Sequence, residues 1–191
     1  MDLSNQSDSS SQGDMIITAG QDTKVKVWML TDLLNIAENT TNCYHEFDSH
    51  TGAVSSVKFS FSAGLQRAFS GSVDKTFRVY DLPGKMILKE IMMTSPISNI
   101  TVDQLESSAF IACENLNVYQ VPLTDQPIDW QSISQSGQQG GPLSTRKRTL
   151  THKKRITAMT ISVDGNQLIT GDAAGVIYIW NLAVEGDNST G

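Results

Sequence analysis

Three side chains have the types and the spacing for nucleophilic chemistry: His50, Ser70 and Asp74. A hydroxyl, an imidazole and a carboxylate brought together can form a relay, with the histidine taking the serine proton and the carboxylate orienting the ring. The local context argues against it. Ser70 stands in Phe69-Ser70-Gly71, without the turn that lifts a nucleophile above a sheet. Buried groups of these types more often satisfy one another, each donating to the next. A second set, His152, Thr170 and Trp180, follows the same order, but Ala174 stands where the first set has its acid, with Asp172 close by. A third comprises Thr18, Asp22 and Trp28, and Tyr80 occupies the matching aromatic place in the first set. These residues are expected to hold the fold and not to turn over a substrate.

Other catalytic patterns are missing. The chain has no GxxxxGK[ST] loop, no HExxH and no CxxC. Gly137, Gly140 and Gly141 lie in a low-complexity stretch that does not suggest a phosphate cradle. His45, His50 and His152 are too scattered for a metal site, and nothing asks for a cofactor. Cys43 and Cys113 stand in unlike contexts, which fits unpaired thiols in a reducing compartment. A net charge of −6 speaks against a wholly basic nucleic-acid surface. Hydrophobic content is 39%, and no apolar run is long enough to cross a membrane. The N-terminus lacks the basic-then-apolar order of a signal peptide, so neither export nor a membrane partner is expected.

The elements that position these residues centre on 69–82, FSGSVDKTFRVYDL. It reads as strand, polar turn, strand, with apolar side chains on both faces of the second strand. Such a strand is covered on both sides. The stretch recurs: Gly71 to Leu82 is matched at an offset of 100 by Gly171 to Leu182, and Ser70 to Tyr80 is matched by Thr18 to Trp28. His50 and His152 each stand four residues before an expected strand. Repeats of about 40 residues with a leading His, a turn Asp and a strand-closing Trp resemble the WD-repeat β-propeller family.

The fold class implied is all-β, a partial WD-repeat β-propeller of about three and a half four-stranded blades. Residues 1–14 read as a disordered polar tail, 15–182 as the partial propeller, and 183–191 as a second polar tail. In the first blade, strands are expected over 15–19, 24–30 and 44–47, with a short helix over 31–38 capped by Thr31 and no visible innermost strand. The second blade is the most complete, over 54–59, 66–70, 76–82 and 86–92. The third covers 97–103, 107–113 and 117–123, then breaks into an insertion over 124–144 and resumes near Thr149. The fourth uses 156–162, 167–170 and 176–182, with Asp164-Gly165 as a hairpin turn.

The resemblance narrows further on DTKVKVWMLTDLL from Asp22, the His at 50, SVDKTFRVYDL, and ISNITVDQLESSAFIACENLNVYQVPL in that order. This order is similar to the WD-repeat subunit of the Rix-type complex that matures large-ribosomal-subunit precursors. That resemblance implies a non-enzymatic scaffold in nucleolus and nucleoplasm, supporting removal of the internal transcribed spacer. The partners implied are the other Rix-type subunits, a Midasin-type ATPase and pre-ribosomal particles, and in some organisms a link to replication licensing. The alternative is a generic WD-repeat adaptor in another assembly: a ubiquitin-ligase, signalling or replication-licensing complex.

Two surface features bear on partners. Trp130 stands in the polar insertion and is either a docking anchor or a residue folded back on its own blade. The run Arg146, Lys147, Arg148, then Lys153, Lys154, Arg155 holds six of the fourteen basic residues. It is a candidate contact for RNA or an acidic partner, or an import signal, against the plainer reading of a solvated edge.

Overall fold

The computed structural model describes residues 2–3, 15–34, 43–59, 66–123 and 152–182. Their strands form four antiparallel meanders, each running outward from its first strand. The first sheet comprises β1 (Asp2–Leu3), β2 (Met15–Ala19), β3 (Val25–Met29) and β4 (His45–Phe47). The second comprises β5 (Val54–Phe59), β6 (Arg67–Ser72), β7 (Thr76–Asp81) and β8 (Met86–Met92). In the third lie β9 (Ile97–Val102), β10 (Ser108–Cys113) and β11 (Val118–Pro122), and in the fourth β12 (Ile156–Ile161), β13 (Gln167–Asp172) and β14 (Ile177–Asn181). β5 lies against β9 and β9 against β12, so the first strands gather on one inner line. The result is a partial β-propeller.

Two expectations are corrected. Residues 1–14 were expected as a tail without structure, yet Asp2 pairs with Ile17 and Leu3 with Ile16. The first sheet therefore has its innermost strand: β2 offers a free backbone edge, and pairing with it satisfies polar groups that composition alone does not reveal. The short helix α1 spans Leu30–Leu34 and follows β3 without a connecting residue, so Thr31 lies inside it and caps nothing. Residues 1, 4–14, 35–42, 60–65, 124–151 and 183–191 lie outside the described residues, and with them the insertion, the expected strand near Thr149 and the second tail.

Three apolar clusters lie between successive sheets. Ile17, Val25 and Val27 of the first sheet meet Val54, Val57, Ala68 and Tyr80 of the second. Phe69, Phe77 and Val79 meet Ile97 and Ile100 of the third. Phe110, Ala112 and Val118 meet Ile156, Met159 and Leu168 of the fourth. β7 thus feeds two cores from its two faces, which is why its sequence is apolar in both registers.

Each joint depends on a bulge. The pairs Val54/Val57, Ile97/Ile100 and Ile156/Met159 are three residues apart, a spacing that puts side chains on opposite faces of a regular strand. The register slips by one residue at Ser55, Ser98 and Thr157, which returns each pair to one face. The hydroxyl of each bulged residue donates to a carbonyl across the strand: Ser55 to Gly71 (3.0 Å), Ser98 to Ala112 (3.1 Å) and Thr157 to Gly171 (3.3 Å). Ser55 also donates to the Ile97 carbonyl at 2.6 Å, tying the second sheet to the third.

Candidate functional site

Ser70 on β6, His50 between β4 and β5, and Asp74 in the turn between β6 and β7 bring hydroxyl, imidazole and carboxylate into one line. His50 Nε2 lies 2.6 Å from Ser70 Oγ, and His50 Nδ1 lies 2.9 Å from Asp74 Oδ2. Ser70 Oγ is 2.9 Å from Tyr80 Oη, and Ser49 Oγ reaches the same phenol at 3.4 Å. One assignment of protons satisfies the line: Tyr80 donates to Ser70, Ser70 donates to Nε2, and Nδ1–H donates to Asp74. The Asp74 carboxylate is anchored further by the Thr76 hydroxyl (2.6 Å), the Thr76 N–H (2.8 Å) and the Thr51 N–H (2.9 Å).

The electrostatics follow from that geometry. Burial alone raises the Asp74 carboxyl, but the bonds from Thr76, Thr51 and His50 outweigh it and hold the group far below the carboxylate range. Burial dominates at His50 and lowers its imidazole, with the Asp74 bond opposing it. Burial also raises the Tyr80 phenol. His50 is therefore a neutral donor to a charged carboxylate at neutral pH. The arrangement has the connectivity of a catalytic triad, but Ser70 and Tyr80 are 0% exposed and His50 is 5% exposed. No substrate carbonyl reaches Ser70 Oγ without opening the joint between the first two sheets.

The fourth sheet repeats the line in weaker form. Trp180 Nε1 donates to Thr170 Oγ1 at 3.0 Å, and Thr170 Oγ1 lies 2.7 Å from His152 Nε2. Ala174 contributes no acid, and Asp172 takes the place from two residues earlier in the chain. Its Oδ2 stands 3.5 Å from His152 Nδ1, beyond a good hydrogen bond, while its Oδ1 accepts the N–H of Ala174 at 2.9 Å and of Val176 at 3.2 Å. Burial raises this carboxyl, and those backbone bonds bring it below its ordinary value. Tyr178 packs edge-on against His152 and stacks on Trp180.

In the first sheet Trp28 Nε1 donates to Thr18 Oγ1 at 2.8 Å. Asp22, expected in this set, does not join it. It is exposed, accepts the Lys24 N–H of its own turn at 3.4 Å, and pairs with Lys26 Nζ at 2.9 Å. Lys26, four residues on, lies within reach of that carboxylate and captures it; Lys24 pairs with Glu46. Sequence reasoning missed Thr76 and Ser49. Thr76 was legible: an Asp followed two residues later by Thr is the pattern of a local Asx turn.

Lys153, Lys154 and Arg155 follow the buried His152 and are exposed. None of the three has an ion pair among the described residues. Arg146, Lys147, Arg148 and Trp130 lie outside the described residues. His45 packs edge-on against Phe47, whose ring in turn packs on Tyr80 of the first relay. Among the described residues no group of His, Cys, Asp and Glu could hold a metal ion, and no helix is long and apolar enough to cross a membrane. Cys43 and Cys113 are free, and burial pushes the Cys113 thiol up to about 12.

The model of the family described as WD domain, G-beta repeat matches residues 3–29, 41–81 and 144–181, together more than half of the chain. Pre-rRNA-processing protein IPI3 of Yarrowia lipolytica is 26% identical over 170 residues, covering 88% of this chain and 40% of that protein. Pre-rRNA-processing protein pro-1 of Caenorhabditis briggsae is 26% identical over 171 residues, 88% of this chain and 32% of that protein. WD repeat-containing protein 18 of Rattus norvegicus is 22% identical over 171 residues, 89% of this chain and 38% of that protein. The chain thus spans two fifths or less of the length of these relatives.

Proposed function

The chain belongs to the WD domain, G-beta repeat family, and from that premise we propose that it is a non-enzymatic scaffold acting in pre-rRNA processing. The finer reading is a nuclear scaffold, in nucleolus and nucleoplasm, of a Rix-type complex maturing large-ribosomal-subunit precursors, with a Midasin-type ATPase among its partners. One observation carries the scaffold role: the His50–Ser70 pair, which has the connectivity of a catalytic relay, is sealed between the first two sheets. What remains for function is surface.

The most distinctive charged surface is the turn of Lys153, Lys154 and Arg155. Three adjacent exposed cations without an ion pair among the described residues suit phosphates, and each contact made to single-stranded RNA adds a slope of about −0.7 in log affinity against log salt.

Co-purification from nuclear extract tests both levels. The expected catch is large-subunit precursor RNA and a Midasin-type ATPase. Replacing Lys153, Lys154 and Arg155 by Gln should reduce the precursor RNA and flatten its salt dependence while the fold survives. Recovery of ubiquitin-ligase, signalling or replication-licensing subunits, without pre-ribosomal RNA, would sink this reading in favour of a generic adaptor.

A further inference from the structure

The turns 72–76 and 172–176 share a backbone but hold their histidines differently. Ser72 and Asp172 pair with the first residue of their inner strands, Val54 and Ile156, and the left-handed position is Lys75 at 73° in one and Gly175 at 79° in the other. In the first turn two groups stand within hydrogen-bond distance of His50 Nδ1: Asp74 Oδ2 at 2.9 Å and Thr76 Oγ1 at 3.0 Å. The matching residues of the second turn are Ala174 and Val176, so neither group is there. His152 Nδ1 is buried and has no hydrogen-bond partner among the described residues. The proton assignment that satisfies Thr170 makes this atom a donor. Trp180 gives to the Thr170 hydroxyl, the hydroxyl gives to His152 Nε2, and the ring proton stands on Nδ1.

Asp172 does not repair the loss, because its own turn holds it. In the first turn the work is divided: Ser72 Oγ accepts the Asp74 N–H at 3.1 Å, and Asp74 Oδ1 accepts the Thr76 N–H at 2.8 Å. Asp172 Oδ1 does both, accepting from Ala174 at 2.9 Å and Val176 at 3.2 Å, and its second oxygen is left 3.5 Å from Nδ1. The difference reaches the surface. Asp74 also accepts the N–H of Thr51, the residue after His50. The residue after His152 is Lys153, first of the three exposed cations, and the Ala174 side chain offers it no acceptor. At the far end of the same turn the Arg155 carbonyl accepts the Ala173 N–H at 2.9 Å.

We infer that residues 152–155 form a latch. It is hinged at Arg155, closed at His152 by the bond from Thr170 and the edge-on contact of Tyr178, and it swings clear while the sheet holds. The unsatisfied Nδ1–H lowers the cost of opening, because a released ring bonds water at both nitrogens. What the freed cations meet rests on the phosphate reading above; the latch itself does not.

Proton NMR and hydrogen exchange on the whole chain test this. The Nδ1 proton of His50, bonded to a carboxylate, should resonate far downfield; that of His152 should lie upfield of it and exchange at least about tenfold faster. Ala174→Asp with Val176→Thr supplies both missing groups. The His152 proton should then move toward the position of the His50 proton, and the Lys153 and Lys154 amides should exchange about tenfold more slowly. If that variant loses folded content, the reverse pair, Asp74→Ala with Thr76→Val, carries the test by speeding exchange at Thr51 to a similar extent. Equal exchange of the two Nδ1 protons in the wild type overturns the latch. Exchange in the turn that ignores whichever variant folds overturns it as well.

Discussion

A phenol at position 80 can both give and take a hydrogen bond, whereas the indoles of Trp28 and Trp180 at matching places can only give. The direction of the Ser70 line is therefore set from the other end, by the Asp74 carboxylate, which accepts on every side and fixes the Nδ1–H tautomer of His50. The line thus works as a pH-sensitive fastener. Because burial holds the His50 imidazole below its ordinary 6.5, the unfolded chain takes up that proton first as pH falls. The contribution is complete above about pH 6.5 and drains away as pH drops toward the folded value. The lowered Asp74 carboxyl adds a second loss, beginning below its ordinary 3.8. Thermal unfolding of wild type and His50→Gln from pH 7.5 to pH 5 checks the first. The wild-type advantage should shrink with acid, and parallel curves would show that His50 does not titrate on unfolding.

At the scale of the element, the hairpin turns store strain at equivalent places. Thr23, Lys75 and Leu116 adopt positive φ of 67°, 73° and 65°, and the fourth sheet has Gly175 there at 79°. A left-handed conformation costs a side chain roughly 1–2 kcal/mol, part of which glycine gives back as unfolded-state entropy. Lys75→Gly should accordingly stabilise by about 0.5–1 kcal/mol, and Gly175→Ala should destabilise by a similar amount. Urea midpoints decide it, and a Lys75→Gly midpoint that falls would mean the lysine side chain matters more than its backbone. These hairpins were legible because turn residues and two-sided apolar runs recur at offsets of 100 and 52, which marked Ser70 and Tyr80, while a His four residues before an expected strand marked His50. The bulges at Ser55, Ser98 and Thr157 were not, since nothing in a Ser or Thr within a strand marks a register slip. β1 escaped because two residues in a polar stretch acquire order only from a distant edge. Asp172 reached the second relay from a place the offset did not mark, because a carboxylate at a strand end can serve where one in the turn is missing.

On the scale of the whole molecule, no apolar cluster among the described residues extends beyond one adjacent pair of sheets. Each sheet is thus coupled to its neighbours and to nothing farther away, which makes the chain a short one-dimensional lattice. Cooperativity in such a lattice is local, and melting begins where a unit has lost one of its two couplings. The fourth sheet has that character, since β14 bares Ile177 and Ile179. Native-state hydrogen exchange on the dilute chain should therefore find β13 and β14 opening first and β6, β7, β9 and β10 last. A single exchange free energy for all strands would refute the lattice picture. Where it holds, the protein has a graded order of release, and a partner clasping the fourth sheet would tighten the relay of His50 only through the third sheet between them.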